Sequence, residues 1–178
     1  MPTPLPPTPP ADPLADPPAV LAGVGPVDPA AGTLDLWSTR HPGTYVLLIH
    51  LSETCSLDVG RLGHLSLPAG WYLYTGSALG GLGARLSRHA RQEKHIHWHI
   101  DRLLAPGRLD AVAARIGRER IECQTASTVI ALPGATVPAP RFGSSDCRCP
   151  AHLIHLATRP DLALLGPAWQ VVTVPRTP

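Results

Sequence analysis

Two tyrosine motifs followed by a basic segment could together carry out acid–base chemistry on a phosphate group. The motifs are residues 43–45 (GTY) and 74–76 (YTG), and Arg85 and His89 follow at the spacing of one helical turn. Tyrosine and histidine exchange protons, while the arginine guanidinium offers a planar fork of donors that matches phosphate oxygens. Each tripeptide is common by chance, but their order, their hydrophobic flanks and the basic segment form a combined signal. The sequence therefore indicates phosphodiester chemistry.

Two predicted strands position the tyrosines. Residues 44–51 are rich in β-branched and large apolar side chains, and their alternation predicts a strand with Tyr45, Leu47 and Ile49 on one face. Residues 57–67 contain glycines that predict a hairpin-like excursion, and residues 71–75 predict a second long strand. Antiparallel pairing of the two long strands would bring Tyr45 and Tyr74 to neighbouring positions.

A predicted helix at residues 82–94 positions the basic side chains. Glycines between residues 76 and 83 end the second strand and lead into this helix. Its apolar positions, Leu82, Leu86 and Ala90, form one stripe. A second stripe is polar and is free to face a ligand; it consists of Arg85, Arg88, His89 and Gln92.

The rest of the chain predicts further helices and strands. A short helix is expected at residues 98–105, and a third helix at residues 119–132, each ended by a Pro-Gly pair. A third strand is expected at residues 109–116 between these helices. Short strands at residues 152–156 and 169–174 complete the pattern.

Composition separates a leader from the rest of the chain. The first 31 residues contain 11 of the 22 prolines and almost no large apolar side chains, so we predict a disordered leader at residues 1–31 and a single domain with a C-terminal extension at residues 32–178. The leader lacks the basic start and apolar stretch of a secretory signal, and no apolar run is long enough to span a bilayer. We expect a soluble, cytoplasmic protein with no membrane partner, and association with the nucleoid is compatible with this expectation.

The distribution of charge is more informative than its sum. A net charge of +2 is too small to indicate nucleic-acid binding, but residues 82–102 combine four histidines with a cluster of cations. The cations are Arg85, Arg88, Arg91, Lys94 and Arg102. We expect Arg88, Arg91 and Lys94 to face water beside the site, where they would contact a nucleic-acid backbone.

These motifs resemble the GIY-YIG endonuclease superfamily, and in particular its Uri-type branch, over about residues 41–158. The matching stretches are residues 43–45, 69–78, 85–89, 97–101, 122–123 and 142–149. The resemblance implies an α+β fold with a small central antiparallel sheet of three main strands flanked by helices. It also implies one divalent cation, Mg²⁺ or Mn²⁺, bound by Glu122 on the helix after the third strand, with waters and the substrate phosphate completing the shell.

The resemblance implies a role for each side chain in turn. Tyr45 would be the general base or would position the attacking water, and Tyr74 would orient the substrate or the nucleophile. A tyrosine has an ordinary pKa of about 10, so Tyr45 needs a neighbouring cation, such as Arg85 or the metal ion, to favour its phenolate. His89 would assist Tyr45 or protonate the leaving oxygen.

Three departures from the superfamily pattern stand out. Threonine replaces isoleucine in both tripeptides, and 29 residues separate Tyr45 from Tyr74, more than in most relatives. Many members also place an asparagine after the metal-binding glutamate, whereas this sequence contains no asparagine. Ser144, Ser145 or Thr128 would be the polar substitutes.

Two clusters of potential metal ligands have competing interpretations. The first, His95, His97, His99 and Asp101, could bind a metal ion from a strand, but the neighbouring tryptophan and isoleucine favour a packed segment with hydrogen-bonded histidines. The second, Cys147-x-Cys149-x-x-His152, lacks the paired C-x-x-C elements of a zinc ribbon, which favours structural thiols packed under a loop. All four cysteines are expected to be reduced.

Three functional hypotheses follow. The first is a metal-dependent DNA endonuclease, directed to DNA structure or damage, which would suit DNA repair. The second is a catalytically inactive nucleic-acid-binding domain of the same fold. The third is a proline-rich leader that binds a protein partner, with the domain as its anchor.

Overall fold

A five-stranded antiparallel sheet organises residues 34–174, the part of the chain that the computed structural model describes. The predicted leader at residues 1–31 lies outside this range. The strands and helices of the described residues are β1 (Gly43–Leu51), β2 (Cys55–Asp58), β3 (His64–Leu67), β4 (Gly70–Ala78), α1 (Leu82–Ala90), α2 (His99–Leu104), β5 (Arg108–Ile116), α3 (Glu122–Ile130), β6 (Leu153–Leu156) and β7 (Gln170–Thr173). The sheet has the order β6-β4-β1-β5-β7, and β2 pairs with β3 in a separate hairpin.

The predicted α+β class, the hairpin and the two short C-terminal strands are confirmed, and the sheet has five strands rather than the three that the resemblance implies. The three main strands form the centre of the sheet as β4-β1-β5, and the short strands β6 and β7 extend it at both edges. The first helix ends at Ala90, earlier than predicted, because Arg91 adopts an extended backbone. The third helix begins at Glu122, later than predicted. No helix among residues 34–174 is long and apolar enough to cross a membrane.

Strand β1 is buried on both faces, which explains its nearly continuous apolar sequence. One face carries Tyr45, Leu47 and Ile49, as predicted, and packs in the same core as buried side chains of α1 and α2. The other face carries Val46 and Leu48 and shares a second core with residues of α3 and β6. The sheet therefore separates α1 and α2 from α3.

The register of β1 and β4 brings the two tyrosines together. Tyr45 pairs with Gly76, and Leu47 pairs with Tyr74, so the tyrosines are diagonal neighbours on one face, as predicted. The Tyr45 ring lies over Gly76, where an added Cβ atom would be only 2.5 Å from the Tyr45 hydroxyl oxygen. Because no side chain fits beneath this ring, position 76 requires glycine.

Replacing Gly76 by alanine should therefore destabilise the domain. The methyl group would displace the buried Tyr45 ring, and overpacking of this kind costs about 1–3 kcal/mol of unfolding free energy. The matched control is Gly80→Ala, because an added Cβ there meets nothing within 4 Å. Urea unfolding of both variants is the measurement, and equal stability of the two would contradict the packing of Tyr45 on Gly76.

Candidate functional site

One open cavity of about 450 Å³ collects four of the five predicted active-site side chains. Tyr45, Tyr74, Arg85 and Glu122 all line it. The tyrosines come from β1 and β4, Arg85 from α1, and Glu122 from the first position of α3. Residues separated by up to 77 positions (122 − 45) thus meet at one surface. The fifth side chain, His89, lies behind Tyr45 rather than in the cavity wall.

Burial keeps both tyrosine hydroxyls protonated at neutral pH. Desolvation raises the pKa of Tyr45 above its ordinary value, and the nearby positive charge of Arg85 only partly offsets this. Desolvation likewise raises the pKa of Tyr74, with Tyr45 adding to the effect. Proton removal from either hydroxyl therefore needs additional positive charge at the cavity.

His89 is a buried partner of Tyr45. Its Nε2 atom lies 2.9 Å from the Tyr45 hydroxyl oxygen, with donor and acceptor set by the tautomer. Desolvation, reinforced by the charge of Lys94, lowers the pKa of His89 to about 3, so the ring is neutral. The prediction that His89 lies on a polar stripe free to face a ligand, and Ala90 on the apolar stripe, is wrong, because His89 is buried on the same side of α1 as Leu86 while Ala90 is exposed.

A tryptophan holds Arg85 in place. The Arg85 Cζ atom lies 4.2 Å from the centroid of the Trp98 ring, and the Arg88 Cζ atom lies 4.1 Å from the same centroid. Such cation–π contacts orient a guanidinium that would otherwise sample many rotamers. Arg88 is in turn fixed, because its two terminal nitrogens donate to the two carboxylate oxygens of Asp101, each over 2.9 Å.

Asp101 is a buried carboxylate whose charge is fully compensated. Besides Arg88, the backbone N–H groups of His97 and Trp98 donate to it, each over 2.9 Å. Burial opposes its ionisation, but these hydrogen bonds prevail and lower the pKa of Asp101 to about 2. Asp101 thus packs this segment on the fold, as predicted, but through Arg88 and the backbone rather than through histidine rings.

Arg88, Arg91 and Lys94 were predicted to face water and contact a nucleic-acid backbone, but two of these three side chains are largely buried or bound within the protein. The Lys94 side chain is 8% exposed; its Nζ atom donates to the backbone oxygen of His89 over 2.7 Å and lies 3.9 Å from Asp101. The Arg88 side chain is 24% exposed because it is bound to Asp101. Arg88 and Lys94 therefore stabilise the residues around the cavity, and the expectation that they face water is wrong. Arg91 is exposed, as expected.

Glu122 brings a carboxylate to the opposite side of the cavity. Its Oε1 atom lies 2.8 Å from His152 Nδ1, although the ring N–H is not aligned on that oxygen. Burial alone would raise the pKa of Glu122, but the contacts with His152 and Ser77 outweigh burial, so the pKa lies below its ordinary value. Asp146, which the sequence analysis did not single out, lines the same cavity. Two carboxylates beside an open, water-accessible space suit a hard divalent cation.

The three polar residues proposed as substitutes for the missing asparagine differ in whether they reach the cavity. Ser145 lines the cavity. Ser144 is buried, and its hydroxyl donates to the backbone oxygen of Cys149 over 3.0 Å. The Thr128 hydroxyl donates within α3 to the backbone oxygen of Gln124. Of the three, Ser145 alone adjoins the cavity.

A second cluster of ligand-type side chains lies behind Glu122. One ligand atom each from Cys123, Cys147, Cys149 and His152 lies within 4.8 Å of the others. A set of three cysteines and one histidine could hold a metal ion and is typical of zinc rather than magnesium. The sequence analysis disfavoured a metal here because the segment lacks the paired C-x-x-C elements of a zinc ribbon; it missed Cys123, which α3 contributes from a distant part of the chain.

The comparison with protein families identifies the chain. Residues 44–166 match the family described as domain of unknown function DUF123, and the chain belongs to this family. No curated protein and no solved structure matches the chain.

The Asp101 carboxylate predicts an acid-sensitive contribution to stability. Its pKa is lower in the folded chain than its ordinary value of about 3.9, so its contribution of about 2 kcal/mol is complete above about pH 4 and is lost as the pH falls towards 2. The unfolding free energy of the wild type minus that of Asp101→Asn should shrink by about 1 kcal/mol between about pH 5 and about pH 3.

The control for this measurement is Asp58→Asn, because Asp58 is exposed and contacts only His64 among the ion pairs of residues 34–174. Urea unfolding at both pH values gives the comparison. A wild-type advantage over Asp101→Asn that stays constant with pH would show that Asp101 is not held ionised by the fold.

Proposed function

We propose that this member of the DUF123 family hydrolyses phosphodiester bonds in DNA with the help of a divalent cation, in the manner of a GIY-YIG endonuclease. The observation that carries the proposal is the convergence of Tyr45, Tyr74, Arg85 and Glu122 on one open cavity. These are the residues that the resemblance to that superfamily selects. The cavity volume of about 450 Å³ falls within the range of small-molecule sites, which is enough for one nucleotide phosphate and its sugar.

Arg85 is the phosphate-binding group of this proposal. Its side chain lines the cavity, and its stacking on Trp98 fixes the direction of its donors before substrate arrives. A guanidinium that is already oriented can stabilise the charge that grows on the phosphoryl oxygens without reorganising during the reaction.

Tyr45, with His89 as its hydrogen-bond partner, is the proposed group that acts on the proton of the attacking water. The hydroxyl of Tyr45 is hydrogen-bonded to the buried His89, and the low pKa of about 3 keeps His89 neutral, so that it orients the hydroxyl without adding charge beside it. Arg85 favours the phenolate of Tyr45; once the hydroxyl proton has passed to solvent through the open cavity, the phenolate could remove a proton from an attacking water, while the protonated form could only hold that water in line. Tyr74, from the neighbouring strand, would orient the substrate.

Glu122 and Asp146 would hold the divalent cation. Mg²⁺ and Mn²⁺ prefer oxygen ligands and retain waters, and the cavity offers two carboxylates with open space beside them. The cation would supply positive charge beside the reacting phosphate and so favour deprotonation at the cavity. DNA is the proposed partner, with the exposed Arg91 as a backbone contact, and a structure- or damage-directed role in DNA repair is the corresponding pathway.

Two observations favour the alternative of an inactive nucleic-acid-binding domain. Burial keeps both tyrosines protonated, and the chain lacks the downstream asparagine of many relatives. Under this alternative the cavity binds a phosphate but does not activate water. Binding without cleavage by the metal-supplied wild type would support it over the endonuclease.

Tyr45→Phe should abolish most cleavage while leaving the fold intact. The variant retains the ring over Gly76 but loses the hydroxyl, and loss of a general base typically costs about 100-fold or more in rate. The matched control is Tyr72→Phe, because the Tyr72 hydroxyl donates to the backbone oxygen of Pro68 and Tyr72 does not line the cavity. The measurement is single-turnover cleavage of the best DNA substrate with Mg²⁺ or Mn²⁺. Equal rates for the two variants would refute the role of Tyr45.

Glu122→Gln should abolish most metal-dependent cleavage without removing DNA binding. The amide retains the shape of the side chain but loses the negative charge that attracts the cation. Glu119→Gln is the control, because Glu119 is exposed and pairs with Arg115 outside the cavity. Cleavage rates across a Mn²⁺ titration, with DNA affinity by anisotropy in chelator, separate the two effects. An unchanged titration curve for Glu122→Gln would exclude Glu122 as a ligand.

A further inference from the structure

We propose that Cys123, Cys147, Cys149 and His152 bind one Zn²⁺ ion in a closed, tetrahedral, structural site. The ion would fasten the loop at residues 141–152 to the start of α3 and would hold His152 against Glu122. Zinc binding itself does not depend on the proposed hydrolysis, since its ligands are distinct from the residues assigned to that reaction.

The distances between the ligand atoms fit a zinc tetrahedron. Zn–S bonds of about 2.3 Å and Zn–N bonds of about 2.0 Å place tetrahedral ligands about 3.5 Å apart for S and N and about 3.8 Å apart for two S atoms. Cys147 Sγ lies 3.5 Å from His152 Nε2, and no pair of ligand atoms is more than 4.8 Å apart. A contraction of about 1 Å or less closes the site around the ion.

The loop that carries three of the ligands is already bent into shape by the backbone. The N–H of Arg141 donates to the oxygen of Pro150, and the N–H of His152 donates to the oxygen of Phe142. Nη1 of Arg141 also donates to the backbone oxygens of Cys147 and Cys149, over 2.7 and 3.2 Å. The cysteine side chains are therefore directed to one point without needing the ion to gather them.

The middle of this loop has almost no apolar core, although Phe142 and Ala151 are buried near its two ends. Between residues 143 and 150 the only buried residue is Ser144, so hydrophobic packing contributes little to the order of this stretch. Three cysteines that are all free would be an unusual choice for packing alone at a surface where Cys123 is exposed. A metal ion supplies the cross-link that the missing core does not.

His152 has the two-sided environment of a zinc ligand. Its Nε2 atom faces Cys147, while its Nδ1 atom lies 2.8 Å from Glu122 Oε1. Zinc-bound histidines commonly present their second ring nitrogen to a carboxylate, which fixes the tautomer and the ring orientation. Coordination through Nε2 would leave the proton on Nδ1, beside Glu122. The ion would thereby hold Glu122 at the edge of the cavity.

The charges and protons of the site balance without any redox step. Zn²⁺ binding to three thiolates and a neutral imidazole gives a net charge of −1, and the three thiol protons pass to solvent. Oxidation of two of the cysteines to a disulfide is the competing chemistry and would prevent coordination.

The test uses the full-length protein purified without chelator under reducing conditions. Elemental analysis should give one zinc per chain for the wild type, and Co²⁺ exchange should give the visible and near-ultraviolet absorption of a tetrahedral cobalt–thiolate centre. Cys123→Ser and Cys147→Ser should each lower zinc affinity at least about tenfold in competition with a chromogenic chelator. The matched control is Cys55→Ser, because Cys55 lies in β2 outside the cluster and should retain one zinc.

Two further measurements make each outcome decisive. If a serine variant fails to fold, Zn²⁺ titration of chelator-treated wild type, followed by thermal melting, must show a stabilisation that saturates at one equivalent. Glu122→Gln should keep the cobalt spectrum yet bind zinc about 10- to 100-fold more weakly, whatever happens to DNA cleavage. Substoichiometric zinc in reduced wild type, or equal zinc affinity of Cys123→Ser and Cys55→Ser, would overturn the proposal.

Discussion

The burial of Tyr45 on Gly76 is the contact on which the rest of the site depends. It fixes the register of the two central strands, because a shift by one residue would put the ring on the opposite face. It also directs the hydroxyl towards His89 and so ties the sheet to α1. The position of the second tyrosine, two residues before Gly76 on the same face, follows from the same pairing. The packing of Tyr45 on Gly76 thus determines both the strand register and the placement of the two tyrosine side chains at the site.

The cavity is built from two sides that are stabilised in different ways. On the α1 and α2 side, a buried and fully hydrogen-bonded Asp101 holds Arg88, which stacks with Trp98 and so positions Arg85. Removing one member would leave a charge buried without compensation, which makes this side sensitive to single changes. On the other side, Glu122 stands between the cavity and the cysteine cluster. That side depends on a loop whose middle, residues 143–150, has little apolar packing.

Local patterns predicted the parts of this molecule that sequence neighbours determine. The strand that bears Tyr45, its alternation and the pairing with the Tyr74 strand follow from hydrophobic period alone. His89 was misplaced because helical spacing from Arg85 does not say which stripe is buried. Arg88 and Lys94 were expected in water because their partner, Asp101, belongs to a different helix. Cys123 and Asp146 join their clusters only through tertiary folding, so spacing within a segment could not find them.

The central claim is that this cavity acts on phosphodiesters, and the most direct measurement exposes the wild-type protein to them. Reduced protein of confirmed fold and zinc content would be incubated with single-stranded, duplex, flapped and junction DNA, and with RNA, in the presence of Mg²⁺ or Mn²⁺. The account predicts cleavage of at least one DNA in the panel that stops when the divalent cation is removed. Neither binding nor cleavage of any member, at protein concentrations well above those used for known nucleases, would contradict it.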